Sequence, residues 1–187
     1  METIEEILDH TKTRMNKSLE SLARELSAIR TGRASTALVE YIYVEYYGTS
    51  TPINQLSSIT IPEARTIMIQ PWDKEILRDI EKALLQSDLG ISPSTDGDVL
   101  RINIPELTEE RRKDMVKLVG KKVESGHISV RNIRRDSLES LRSMEKGGDI
   151  SQDESRRAQE NLQKITDMFT NKMGEAGEIK ETEVMET

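Results

Sequence analysis

Apolar residues recur along three stretches of this chain at the spacing of one face of a helix. In the first, Leu8, Met15, Leu22 and Ile29 stand seven apart, with Leu19 and Leu26 between them. In the second, Val116, Val119, Val123, Gly126, Val130 and Ile133 alternate at three and four residues. Ser137, Ser140 and Met144 continue that count, with Leu138 and Leu141 beside it. The third stretch carries Ala158, Leu162, Ile165, Phe169 and Ala176 along one side. Each seam predicts a helix that cannot bury its stripe alone, so the three together predict a bundle. The second helix, from Thr108 to about Met144, would be roughly 50–60 Å long at 1.5 Å per residue, too long for a single globular layer.

Helix ends are marked as clearly as helix faces. Thr3 with Glu6, and Ser151 with Glu154, stand in capping-box spacing, and Thr108 can cap the long helix. Arg30-Thr31-Gly32-Arg33 and Gly147-Gly148 read as stops. The tail from Gly174, rich in Glu and Gly, is expected to fray.

Between the first two seams the period changes from helix to strand. Ile42–Tyr46 is β-branched and aromatic, and Tyr47-Gly48-Thr49 reads as a turn into Pro52-Ile53. Ile59–Ile61 and Thr66–Ile69 flank Pro62-Glu63-Ala64-Arg65 as a hairpin would. A short amphipathic helix follows, with Ile76, Leu77, Ile80, Leu84 and Leu85 as its buried side and Asp88-Leu89-Gly90 as its stop. Ser92–Asp98 reads as a turn-rich loop, and Val99–Ile104 as a last strand before Pro105 breaks it. The predicted fold class is α+β: a three-helix bundle from residues 1–30 and 106–187, with a small β/α/β domain, 31–105, inserted between helices one and two. The chain crosses between domains near 30–34 and 104–107, where Thr31, Gly32, Pro105 and Glu106 are expected to serve as hinges.

Composition narrows the chemistry. With one Phe, one Trp and four Tyr, the core must be aliphatic, and with no Cys there can be neither disulfide nor thiolate chemistry. No basic, apolar leader opens the sequence and no apolar run reaches membrane-spanning length, so the expected setting is cytoplasmic, with no membrane partner. Catalysis is the poorest fit. His10 and His127 lie far apart with no ligand spacing and are expected to face solvent, and neither a Walker loop nor a GxGxxG pattern is present. Asp96 and Asp98 lack the other oxygens of a calcium loop and read as a turn. Acidic pairs such as Glu5-Glu6 and Glu109-Glu110 suit first helical turns. No catalytic residue, metal site or cofactor is expected.

Charge supplies the feature that calls for a function. From Arg111 to Arg135 there are nine Lys or Arg against Asp114 and Glu124, a local charge of +7 in a chain of −7, leaving −14 elsewhere. Lys113, Lys117, Lys121, Glu124, Ile128, Arg131 and Arg135 follow one another at helical steps on the side away from the seam, with Arg134 adjacent. One explanation is a solvated face balanced by carboxylates of neighbouring helices. The other, which we favour, is an RNA phosphate-binding face, because internal acids are scarce and arginine, with its planar fork, dominates the second half.

Several motifs, in one order along nearly the whole chain, resemble the bacterial ribosome recycling factor family. They are Arg30-Thr31-Gly32-Arg33-Ala34-Ser35, Glu45-Tyr46-Tyr47-Gly48-Thr49, Thr51-Pro52-Ile53 with Gln55-Leu56, Ser87-Asp88-Leu89-Gly90, Leu107–Lys113 and Val130-Arg131-Asn132-Ile133-Arg134-Arg135-Asp136. The resemblance implies an L-shaped, monomeric, non-enzymatic protein that binds the A- and P-site region of the large ribosomal subunit after termination. It implies that elongation factor G, by hydrolysing GTP, then drives the subunits apart and frees mRNA and deacylated tRNA. It places the family's essential arginine on Arg134, puts Arg131, Arg135, Arg30 and Arg33 near the same surface, and adds to the rRNA-binding set derived from spacing, Lys113, Lys117 and Lys121. The inserted domain would face elongation factor G. Gly126 departs from the family, where Ala is more usual, and is expected to soften the middle of its helix by about 1 kcal/mol; Gly174 and Gly177 are expected to weaken the end of the third. A helical adaptor with an apolar groove is the competing reading, and an enzyme of the inserted domain the weakest.

Overall fold

Thr3 sets the start of the first helix, α1 (Ile4–Ser27): its hydroxyl accepts from the Glu6 N–H while the Glu6 carboxylate accepts from the Thr3 N–H at 2.7 Å, a complete capping box. The computed structural model describes residues 3–186. Within them the chain divides into two units, one containing the chain up to Ile29 with Asp114–Glu183, the other Arg30–Lys113 with the residues after Glu183.

The first unit is helical. It holds α1, most of α3 (Glu109–Gly147) and most of α4 (Gln152–Met185). Thr108 accepts from the Arg111 N–H at the start of α3. At its end Gly148, with φ +78°, takes the left-handed conformation that lets its own N–H reach the Glu145 carbonyl and the Asp149 N–H reach that of Met144. Ser151 and Glu154 then open α4 with a second capping box, and the two Ser151 hydrogen bonds hold the Glu154 carboxyl below its ordinary range. Met15, Leu22, Leu26, Val119, Val130, Ile133, Ile165, Phe169 and Met173 form the main core, and Ile7, Leu141, Ala158 and Leu162 a second cluster. A hydroxyl pair, Thr11 with Ser137 at 2.6 Å, is buried between α1 and α3; one of the two donates to the other, which donates to the carbonyl four residues back in its own helix.

The seam is not the one that the seven-residue count predicts. Ser140 is exposed and Leu141 is fully buried in its place. The deepest apolar positions on α3 are Val119, Val130 and Leu141, and on α4 Leu162, Met173 and Val184, in each case eleven apart. A strict seven-residue stripe drifts about 20° per heptad on an ordinary α-helix, whereas eleven residues close three turns almost evenly. Long helices that stay near 3.6 residues per turn therefore hand the seam on by one position.

Gly126, Gly174 and Gly177 divide into two close-approach positions and one open position. The tail from Gly174 does not fray within the described residues: α4 runs on to Met185, with Val184 fully buried. A Cβ on Gly177 would stand 2.6 Å from Val123 Cγ2, and one on Gly126 would meet Met173 Sδ at 3.0 Å and Leu22 Cδ2 at 3.4 Å. Both are therefore close-approach positions, where packing offsets the low helix propensity. Gly174 has open space instead. Gly174→Ala is expected to stabilise the protein by about 0.5–1 kcal/mol. Gly177→Ala is expected to destabilise it by about 1 kcal/mol, because forcing a methyl against a stiff valine costs roughly 1–3 kcal/mol and outweighs the propensity gain. Denaturant melts of the two variants check the opposite signs.

The second unit is built on β-structure. A two-stranded hairpin, β1 (Tyr43–Tyr46) with β2 (Thr49–Pro52), precedes a four-stranded antiparallel sheet in the order β3-β4-β6-β5. Its strands are β3 (Ser57–Glu63), β4 (Thr66–Pro71), β5 (Pro93–Asp96) and β6 (Val99–Asn103). Helix α2 (Leu77–Gln86) packs Ile80 and Leu84 into the core made by Ile67, Ile69, Leu100 and Ile102. Leu85, expected on that buried side, is exposed, since it lies about a quarter turn from Leu84. The segment read as a loop contains β5, paired with β6 from Pro93↔Ile102 to Asp96↔Val99. It is an edge strand, and Pro at its first residue is compatible with that place.

Candidate nucleic-acid interface

Because α3 packs its Val119–Val130–Leu141 stripe inward, the opposite side of the helix is left to water. Lys113, Lys117, Lys121, Glu124, Ile128, Arg131 and Arg135 are all exposed, as their spacing predicts. Arg134 is half-buried, at the margin between this face and the seam. Lys117, Lys121, Arg131, Arg134 and Arg135 belong to the first unit and Lys113 ends a segment of the second.

The balance of charges decides between a solvated face and an anion-binding one. Neighbouring helices supply little negative charge to α3. Lys122 pairs with Glu25 of α1 at 2.7 Å, whereas Asp136 of α3 is itself engaged by Arg14 at 3.0 Å. Within α3, Lys113 pairs with Glu109 at 2.9 Å and Arg131 with Glu124 at 2.7 Å. Such surface pairs contribute about 0–1 kcal/mol and open readily. The Arg131 guanidinium, by hydrogen bonding and by charge, holds the Glu124 carboxyl below the ordinary range, so that pair persists in mild acid and separates as pH falls through the lowered value. Among the described residues, Lys117, Lys121, Arg134 and Arg135 pair with no carboxylate within 4.0 Å. A row of unneutralised cations on one exposed helix face is suited to a polyanion.

The other two arginines of the expected set, Arg30 and Arg33, lie in the second unit, and both are occupied with backbone. Arg30 donates to the Asp88 carbonyl at 3.3 Å and Arg33 to the Glu186 carbonyl at 3.4 Å. Arg112 likewise donates to the Met185 carbonyl, so two arginines hold carbonyls at the end of α4. The hinge residues are also in the second unit. Thr31 is buried, Gly32 has φ +78°, and Glu106 pairs with Arg65 at 2.6 Å.

Two observations lie outside the sequence reading. The basic face does not stop at Arg135: Arg142 and Lys146 continue it at steps of seven and four, lining a shallow cleft of about 340 Å³ with Arg135, Leu138 and Glu139. The same helical count that joined Lys113 to Arg135 would have reached them. His127, expected to face solvent, is partly buried, its Nδ1 lying 3.8 Å from the Glu124 carboxylate and its Nε2 enclosed without a hydrogen-bond partner. Among the described residues no cluster of three or more His, Asp or Glu could hold a metal ion, and no helix is long and apolar enough to cross a membrane.

Comparison with known proteins gives a consistent result. The sequence model of a family described as ribosome recycling factor matches residues 22–185. A ribosome-recycling factor of Bacillus velezensis is 50% identical over 97% of this chain and 98% of its own length, and one of Dehalococcoides mccartyi is 51% identical over the same shares. Among solved structures, a ribosome recycling factor determined in solution superposes with a TM-score of 0.83 at 42% identity over 100% of both chains. Another, from T. thermophilus, described together with E. coli elongation factor G bound to the E. coli post-termination complex, gives 0.71 at 47% identity over 98% of this chain and 99% of that one.

Proposed function

This chain belongs to the ribosome recycling factor family, and from that membership we propose how its surface does the work. Its function is ribosome recycling: it binds the post-termination ribosome and, with elongation factor G, separates the subunits so that mRNA and deacylated tRNA leave. It is not an enzyme; elongation factor G hydrolyses the GTP. Its place of action is the cytoplasm, with the ribosomes.

In our reading the outer face of α3 grips rRNA phosphates. Arg134, Arg135, Lys117 and Lys121 are the principal contacts, Arg131 joins once it leaves Glu124, and Arg142 and Lys146 extend the grip. The observation that carries this is the run of cations that no carboxylate neutralises, on the side of α3 that packing leaves open. Arg30 and Arg33 contribute through the N–H groups not engaged by carbonyls, and Lys113 once Glu109 releases it. Bending at Thr31-Gly32 and Pro105-Glu106 lets force applied to the inserted domain reach a bundle that stays attached to RNA. The left-handed turn at Gly32 and the proline at 105 support that assignment. A helical adaptor would need an open apolar groove along the bundle, and the seams are consumed in its own core.

A subunit-dissociation assay tests the whole reading. Light scattering of post-termination ribosomes should fall when this chain, elongation factor G and GTP are all present and stay constant when any one is omitted. Splitting by the chain alone, or none with all three, contradicts it.

A further inference from the structure

The core of the helical unit is aliphatic apart from one ring, yet it holds a polar link between two helices. Thr11 on α1, 1% exposed, and Ser137 on α3, 6% exposed, meet at 2.6 Å. Each stands at a seam position between apolar neighbours, Ile7 and Met15 on α1, Ile133 and Leu141 on α3. The other buried hydroxyls of this unit, Ser155 and Thr166, bond within α4. Near Thr11, one turn further along α1, Arg14 reaches Asp136, the neighbour of Ser137, at 3.0 Å. Helix α1 therefore holds α3 at two adjacent residues. Stability does not explain the buried pair, because apolar residues of the same shape would pack there with little or no net loss.

The rotation of α3 does call for such a link. Met115, Leu118, Val123, Leu138 and Met144 widen the apolar surface of α3 on both sides of its seam. So broad an aliphatic surface holds the helix in the bundle without fixing how it is rolled. A seven-residue frame that turns Ser140 inward competes with the observed one that turns Leu141 inward. Arg134 lies three residues before Ser137 and Ser140 three after it. Three residues turn an α-helix by about 300°, so these two stand about 60° to either side of Ser137. A roll that brings Ser140 in swings Arg134 out, and the opposite roll presses Arg134 into the core. The half-buried place of Arg134, at the margin of the basic face, is thus set by where Ser137 points.

We propose that Thr11 and Ser137 are positioning residues for RNA binding, an inference that rests on the reading of α3 as the rRNA-binding face. Their hydrogen bond fixes the roll of α3, and with it the depth from which Arg134 reaches phosphate. A single buried polar contact fixes register in this way where hydrophobic packing leaves it open. When only a fraction of molecules holds the competent roll, the apparent dissociation constant rises by the inverse of that fraction.

Thr11→Val combined with Ser137→Ala removes both hydroxyls and leaves neither partner unpaired. Its melting temperature should equal or exceed the parent's, while the dissociation constant for large ribosomal subunits rises about three- to tenfold. The slope of its salt dependence should stay at the parent's value, because the same phosphates are met once it is bound. Thr11→Ser, which keeps the hydroxyl and loses a methyl, should show the reverse, a lowered melting temperature with unaltered affinity. Roll is read without ribosomes from nitroxide labels on Ala23→Cys and Glu139→Cys, exposed positions of a chain that has no other cysteine. The distance distribution should be narrow in the parent and in Thr11→Ser, and broadened or displaced in the double variant. Unchanged affinity or an unchanged distribution in the double variant overturns the proposal. So does a melting temperature that falls together with affinity, the mark of a pair that merely holds the fold. If the parent itself binds subunits without salt dependence, the RNA reading fails instead, and the distance distribution still decides whether the pair sets the roll.

Discussion

Arg134→Ala lowers affinity for the large ribosomal subunit about 10- to 100-fold and leaves the helical circular dichroism signal and melting temperature nearly unchanged. That is the expected result, and its size follows from the environment of the side chain. A charge-assisted hydrogen bond contributes roughly 1.5–3 kcal/mol net, and Arg134 forms none with a carboxylate among the described residues, so its donors are free for phosphate. Its half-buried position beside the seam limits how far it can swing, which reduces the entropy lost on binding. Removing it leaves no carboxylate unpaired, and for that reason stability should hold. Glu124→Gln should act in the opposite direction. It releases Arg131 from a 2.7 Å ion pair, so binding should tighten modestly and become more sensitive to salt. Filter binding of labelled protein to purified large subunits measures both.

The largest loss of stability is expected from Phe169→Ala. This is the only phenylalanine of the chain, 4% exposed, in the main core of the helical unit with Met15, Val130 and Met173. The Lys172 ammonium lies over the ring, 5.7 Å from its centroid. Truncating a buried phenylalanine removes transfer free energy and leaves a cavity, together about 3–5 kcal/mol. A long bundle with an otherwise aliphatic core has no second large ring to close that space. Leu85→Ala, by contrast, should change stability by less than about 0.5 kcal/mol, because that leucine faces water. Denaturant unfolding followed at 222 nm, the usual helical wavelength, reads both variants; comparable losses would mean that the burial pattern is wrong.

Local signals carried most of this fold. Both capping boxes, the Gly148 stop and the β3–β4 hairpin depend on residues within a few positions of one another, and such chemistry is visible in a sequence. What was hidden depends on partners far along the chain. Strand β5 has no apolar alternation to betray it, since Ser94, Thr95 and Asp96 are held by their backbone pairing with β6. Gly177 looked like a weak point of α4 because propensity is local, whereas its fit against Val123 across the bundle is not. The exchange of Ser140 for Leu141 shows how a heptad count loses register on a helix of 39 residues. For the candidate interface, spacing alone identified the exposed cations of α3. It could not foresee that Glu124 would hold Arg131, or that carbonyls would engage Arg30 and Arg33.

Long helices whose buried stripes face one another must leave their remaining sides to solvent, and on α3 that side carries cations without matching acids. Measuring the large-subunit dissociation constant against salt concentration tests whether those cations meet phosphate. For the parent chain the double-logarithmic plot should be steep, and with Arg131, Arg134 and Arg135 all changed to Ala its slope should fall by roughly one for each phosphate contact removed. A shallow parent slope, or one that the triple variant leaves unaltered, would contradict the assignment of this face to RNA.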